Sequence, residues 1–349
     1  MTDLWSYLKT AKKPIVLYGT GNGADKVLSR LSADGVAISG VFSSDGFKKN
    51  KLFGGHTVCS FDELAAKLGD MIILVCFGSD RAEVIENIRR LSETQELYVP
   101  DVPVYGQEIF DLAFARQNAE DIRAVYAMLA DDFSKKVFEN TVYFKLTGNP
   151  RYLYEIESDP QEDLGLLGLC ENEVFLDLGA FTGDTVAEFI NATDSYSKII
   201  AVEPDRRNFR KLTENTADLK NITLTNAAVG ESLGSILMSS QHGRGIGGTA
   251  KAVEIDCTTI DEICKNTAPT YIKMDVEGSE LAAISGGLHT ITTHKPTLKI
   301  ACYHRSQDIF SLPLKIKEAV PDYRVYMRHL PCLPAWDTDF VFKIIRNEK

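Results

Sequence analysis

The chain has 349 residues, 25% of them charged and 44% hydrophobic, with a formal net charge of −11 and a pI near 5.1. That is enough chain for two domains with ordinary cores, and the acidic balance argues against a broad electrostatic grip on nucleic acid. The most apolar run, MIILVCFG, is too short to span a bilayer, and MTDLWSYLKTAKKP lacks the apolar core of a secretory signal. Seven scattered cysteines without a CxxC pair are expected to be reduced, so the expected location is cytoplasmic, with no membrane span.

The first segment alternates strand and helix. IVLYG predicts a strand, GADKVLSRLSADG a helix and VAISGVFSS a second strand. The helix FDELAAKL, the strand MIILVCFGS, the helix RAEVIENIRRL and the strand ELYVPDV follow. This order predicts a parallel sheet covered by helices. Its opening, IVLYGTGNGADK, fits a dinucleotide fingerprint, with Gly19, Gly21 and Ala24 at the small positions and Asp45 near the ribose-binding spacing. A lone fingerprint is weak, and a degenerate or docking unit fits it better than a working nucleotide site. From Gln107 to about Asn140 the spacing predicts one or two connecting helices, and YFKLTGNPRYLYEIESDPQED carries the turn signals of a junction.

A second alternating segment begins at Glu173. Its predicted strands are VFLDLG, KIIAVEP, ITLTNAAVG, TYIKMDVEG and TLKIACYH, and YRVYMRHL with DTDFVFKII predicts an antiparallel hairpin at the sheet edge. The division is 1–106 for a smaller Rossmann-like α/β domain, 107–170 for a helical connector and 171–349 for a second α/β domain with a mostly parallel sheet.

Open parallel sheets bind ligands beyond the carboxyl ends of their strands. In VFLDLGAFTGDT that edge carries Asp177, then Gly179, Gly183 and Asp184. A pyrophosphate there would meet carboxylate charge in a partly desolvated place. S-adenosylmethionine brings an ammonium and a sulfonium instead, which acids attract. The glycines admit a close ligand, and Asp177 or Asp184 would help hold the amino group. The next strand ends in AVEPD, placing Glu203 where a carboxylate takes both ribose hydroxyls, with Asp205 toward the adenine.

These pieces, with TNAAVG, TYIKMDVEGSELAAISGG, LKIACYHRSQDIFSLP and YRVYMRHL, resemble the FkbM family of S-adenosylmethionine-dependent methyltransferases over nearly everything after residue 170. The resemblance implies a Rossmann-like class I methyltransferase fold and methyl transfer to an oxygen, often on a sugar or secondary metabolite. Ala180 and Ala227 join the cofactor-binding set, and the partner is a small-molecule or glycan acceptor. Asp275 in KMDVEG ends the fourth strand and should face the reactive methyl group, as a cofactor or catalytic residue. Glu277, a further catalytic candidate, follows in the turn, and Glu280 opens the next helix; both also fit as helix-start acids, Glu280 equally well. His304 ends the strand LKIACYH and has the pKa range of a general base. Arg305, Arg328 and Arg244, the last in the glycine-rich HGRGIGGTAK, are candidate acceptor contacts, although packing suits Arg328 better. Asp275, Glu277 and His304 form a trio of metal-ligating types, but acids at such an edge need no ion, so no metal is expected. Two other readings stay open: an NAD(P)- or nucleotide-sugar-dependent enzyme working from the first domain, and a non-enzymatic binder of the methyl donor. The acceptor and the oligomeric state are not legible.

Overall fold

A computed structural model describes residues 2–44, 51–239 and 252–345. The first sheet is formed by short buried strands. β1 (Ile15–Tyr18), β2 (Gly40–Phe42), β5 (Ile72–Val75) and β6 (Glu96–Tyr98) pair in parallel in the order β2-β1-β5-β6. A two-stranded ribbon of β3 (Leu52–Phe53) and β4 (His56–Thr57) stands beside it, turned by Gly54 and Gly55, both at positive φ. The Gly-Gly pair between short β-prone pieces was its signal. The predicted helices form as Asn22–Ala33, Phe61–Leu68 and Ala82–Thr94. Ser60 and Glu63 close a capping box that starts the second of these.

The connector holds three helices over the stretch expected to contain one or two: Leu112–Gln117, Ala119–Met128 and Asp132–Thr147. The chain breaks before the third because Leu129 and Ala130 leave the helix to meet the second domain, where Ala130 N donates to Val325 O at 2.8 Å. Asp131 then caps the next helix through Ser134 N. That helix runs to Thr147, beyond the expected end near Asn140, and Gly148 stops it in the left-handed region. Arg151–Tyr154 and Pro160–Leu167 follow as short helices.

The second sheet has seven strands. β7 (Val174–Leu178), β8 (Lys198–Val202), β9 (Ile222–Thr225), β13 (Tyr271–Met274), β14 (Thr297–Ala301), β15 (Arg324–His329) and β16 (Thr338–Lys343) run in the order β15-β16-β14-β13-β7-β8-β9. β16 is antiparallel to both of its neighbours, so the predicted hairpin is present with β16 inserted next to β14 and β15 outside it. The fold of this half is α/β, a mostly parallel sheet with an antiparallel hairpin at one edge. ITLTNAAVG, read as one strand, divides between two sheets. β9 belongs to the large sheet, while β10 (Ala228–Val229) pairs with β12 (Ala252–Thr258), which pairs with β11 (Gly234–Ser239). The division falls at Asn226, whose side-chain amide donates to Glu203 O and Pro204 O and turns the chain off the sheet.

The two halves interlock. Lys145 and Asp101 form a buried ion pair at 3.0 Å, and Val99 N donates to Gly148 O at 2.7 Å. Ser79 and Leu333 exchange two backbone hydrogen bonds, bringing the loop after β15 onto the carboxyl edge of β5. No described helix is long and apolar enough to cross a membrane.

Candidate active site

The carboxyl edge of β7, β8 and β13 gathers the acids that the sequence singled out. Gly179 and Ala180 follow β7, and both amides donate to Val202 O, at 2.9 and 3.0 Å. Gly179 has φ +84, and a Cβ there would lie 1.9 Å from Asp275 O. Only glycine permits both the turn and the close approach of the β13 end. Gly183, at φ +91, starts the helix Asp184–Ala192, with Asp184 exposed in its first turn.

Asp177 is fully buried, and neither carboxylate oxygen has a hydrogen-bond partner among the described residues. Burial pushes its carboxyl up to about 7 against the pull of Lys273, its cross-strand neighbour. With no exposed surface, Asp177 is not placed to touch a ligand at this edge, unlike the amino-group contact the sequence suggested.

Glu203, 5% exposed, holds the turn together. Its Oε2 accepts from Phe181 N at 2.9 Å and its Oε1 from Asp205 N at 2.8 Å. Burial raises this carboxyl to about 7, more than the two backbone donors lower it. Each oxygen keeps a second lone-pair direction for another donor. Asp205 caps the helix Arg206–Asn215, its Oδ1 accepting from Arg207 N and Asn208 N. Ala227 is buried beside Asn226 at the end of β9.

A second group lies across β13 and β14. Burial pushes the Asp275 carboxyl up, but Lys273, His304 and Tyr303 outweigh it and hold the carboxyl below its ordinary value. Tyr303 Oη donates to Asp275 at 3.2 Å. His304 is 1% exposed; its Nε2 lies 3.4 Å from Asp275 Oδ1 and 3.7 Å from Glu277 Oε2, and its Nδ1 lies 2.9 Å from Glu280 Oε1. Burial opposes a charge on the ring, yet Glu280, Asp275 and Glu277 together raise it to about 9. Glu280 is fully buried and accepts from Val276 N and Gly278 N. Asp275, Glu280 and His304 form a set able to hold a metal ion.

Residues 177–330 match the family described as Methyltransferase FkbM domain. The second half of the chain carries an FkbM methyltransferase domain. The crystal structure of Methyltransferase FkbM from Methylobacillus flagellatus KT is similar over 95% of this chain and 90% of its own, with 26% identity and a TM-score of 0.71. A SAM-dependent methyltransferase from Aquifex aeolicus shares 13% identity over 56% of this chain and 99% of its own, at a TM-score of 0.32. No curated protein matches the chain.

Around this FkbM domain, the predicted acceptor contacts separate. Arg305 stays at the site: its Nε donates to Gly278 O at 2.7 Å and its guanidinium stacks 4.3 Å from the Tyr105 ring. Arg328 is instead held by the connector, donating to Ser134 Oγ at 2.8 Å and Asp131 Oδ2 at 2.9 Å. Arg244 lies outside the described residues, as does Asp45 of the N-terminal fingerprint.

Three features escaped the sequence reading. Lys273 and Lys299, both half-buried, form a cross-strand row with the buried Asp177 across β7, β13 and β14. Their signal was a lone lysine inside each of two apolar strands, YIKM and TLKIA. Tyr105 comes from the first half of the chain, packs over Gly278 and donates its amide to His304 O at 2.9 Å; no local pattern marks it.

Proposed function

We propose that the carboxyl edge of the second sheet binds S-adenosylmethionine and that the protein transfers its methyl group to a hydroxyl of a small-molecule or glycan acceptor. The observation that carries this reading is the convergence of Asp177, Glu203 and Asp275 on the edge formed by Gly179. A phosphate-bearing cofactor would be repelled there, and a cationic adenosine compound attracted. The residues fit the group: Asp177 is a buried carboxylate without a hydrogen-bond partner, and the Gly179 turn leaves no room for a side chain.

In this reading Glu203 takes the ribose hydroxyls on its remaining lone pairs, and Ala180 and Ala227 shape the walls near the adenosine. Asp205, with one oxygen spent on its helix, borders the adenine. The methyl donor supplies an electrophilic methyl on a sulfonium. The acceptor oxygen forms the new C–O bond as the C–S bond breaks and its electrons return to sulfur; positioning carries much of the rate. Asp275, ionised and 27% exposed, is the base we assign to the hydroxyl proton. His304, held between carboxylates, positions Asp275 and Glu277 rather than taking the proton. Arg305 and Tyr105 border the acceptor side.

We divide the chain at 106 and 170 and read the first unit as a docking element. Phe77 lies where a Gly19 side chain would go, at 2.8 Å, and Trp336 packs on Gly78. The edge that a dinucleotide would occupy is thus bordered by the protein's own aromatic rings. A cytoplasmic location remains part of this reading.

The test is mass spectrometry of cell-extract acceptors incubated with protein and methyl-labelled donor. One labelled methyl per acceptor, with equimolar S-adenosylhomocysteine, is expected. No transfer, together with nicotinamide-dependent fluorescence abolished by Gly21→Val, would move the activity to the first unit.

A further inference from the structure

Arg305 follows His304 beyond the end of β14, in the loop that leads into the helix Asp308–Ala319. Its backbone amide donates to Asp308 Oδ2 at 2.8 Å, and its side chain turns back over the segment after β13. There Nε donates to Gly278 O at 2.7 Å, and the guanidinium lies 4.3 Å from the centre of the Tyr105 ring. One hydrogen bond and one aromatic face together fix the guanidinium in place. Tyr105 is itself held, since its amide donates to His304 O at 2.9 Å and its Cβ packs on Gly278.

This guanidinium lacks a counter-charge. Of the half-buried arginines among the described residues, Arg30, Arg89 and Arg328 each pair with a carboxylate at 2.8 to 3.0 Å. Arg305 pairs with none, and its side chain donates only to Gly278 O. Acids nevertheless stand close in the chain. Glu277 precedes the accepting carbonyl but lies toward His304, and Asp308 takes the Arg305 amide rather than the guanidinium. Arginine carries five N–H donors in a rigid fork. With Nε spent, both terminal nitrogens remain, and such a pair grips a carboxylate or phosphate through two parallel bonds. Gly106 keeps one of them uncovered: it has φ +92, and a Cβ there would stand 3.7 Å from Arg305 Nη1.

We propose that Arg305, stacked on Tyr105, binds an oxyanion carried by the acceptor, a carboxylate or a phosphate, and so selects acidic acceptors. The carbonyl that holds Arg305 belongs to the turn directly after Asp275, the assigned base. An acceptor anchored there by its anion would present a nearby hydroxyl to Asp275. The fork also offsets the repulsion that Asp275 and Glu277 exert on an acidic compound. The role in choosing the acceptor rests on the methyl-transfer reading; anion binding itself does not.

The experiment titrates the full chain with sodium phosphate and with sodium acetate by isothermal calorimetry, at constant ionic strength. One saturable equivalent of at least one anion is expected. Tighter phosphate marks a phosphorylated acceptor, and tighter acetate a carboxylic acid. Arg305→Ala should weaken binding about 10- to 150-fold, and Arg305→Lys, which keeps the charge but not the fork, should recover only part of that. Tyr105 is 55% exposed, so Tyr105→Ala keeps the fold; it should weaken binding about two- to fivefold, and Tyr105→Phe should restore it. Arg151→Ala removes an exposed charge from the connector and should bind as the native chain does. No saturable binding of either anion, or native affinity in Arg305→Ala, would overturn the proposal. So would a labelled methylated product that carries no anionic group in mass spectrometry. Calorimetry with S-adenosylmethionine reports separately on the methyl donor: anion binding without donor binding would sink the methyl-transfer reading alone.

Discussion

Replacing Glu203 by Gln separates ligand binding from folding. The native carboxylate accepts from Phe181 N and Asp205 N, and its carboxyl is raised from an ordinary 4.5 to about 7. A raised carboxyl contributes stability that is present below pH 4.5 and is lost as pH rises through 7. Burying the ionised form therefore costs the native chain roughly 3 kcal/mol at pH 8. Gln removes that cost but turns an amide group toward one of the two backbone donors, at about 1–3 kcal/mol. The effects nearly offset at pH 8, so the melting temperature should barely move there, while at pH 5 the variant should be the less stable protein. Donor binding should not be spared. The ribose loses an acceptor of charged type, about 1.5–3 kcal/mol, or about 10- to 150-fold in Kd. Isothermal titration with S-adenosylmethionine at pH 8, beside thermal melts at both pH values, gives the two readouts. An affinity within about threefold of native in a folded variant would refute the ribose assignment.

Other expectations follow from single contacts. Asp177→Asn should raise the melting temperature at pH 8 but not at pH 4, because burial has moved this carboxyl from 3.8 to about 7, worth roughly 4 kcal/mol against the ionised form; a flat difference across pH in calorimetric melts would contradict this. Lys145→Ala leaves Asp101 as an unpaired buried acid and should cost about 3–5 kcal/mol in denaturant unfolding; a loss under about 1 kcal/mol would show the pair to be solvated. Gly179→Ala drives a Cβ to within 1.9 Å of Asp275 O at φ +84, so soluble protein, if recovered, should bind no methyl donor by calorimetry. Arg328→Ala should lower the melting temperature while leaving donor affinity unchanged, since its guanidinium holds Ser134 and Asp131.

Much of the site was legible because its residues lie at strand ends that the apolar pattern marks clearly. FLDLG, IIAVEP and IKMDVEG each carry an acid just where a buried run stops, and the sheet aligns those stops on one edge. What was hidden depends on contacts between distant segments. Glu280 reads equally well as a helix-start acid, and nothing near it in sequence tells that its carboxylate is buried against His304. Arg328 lies near the end of β15 and looks like a wall of the site, but the connector covers that strand and takes the guanidinium. The break between the connecting helices has the same cause: Leu129 and Ala130 leave the helix to pair with Val325, a tertiary demand that overrides local propensity. Lys273 and Lys299 were readable in principle, since a lysine amid buried strand residues needs a partner.

Amide hydrogen exchange on the full chain, with and without S-adenosylmethionine, tests most directly where the methyl donor binds. The expected result is protection concentrated in residues 178–184 and 203–208, where the Gly179 turn and Glu203 meet. Protection confined to residues 19–24, or no change anywhere at saturating donor, would contradict it.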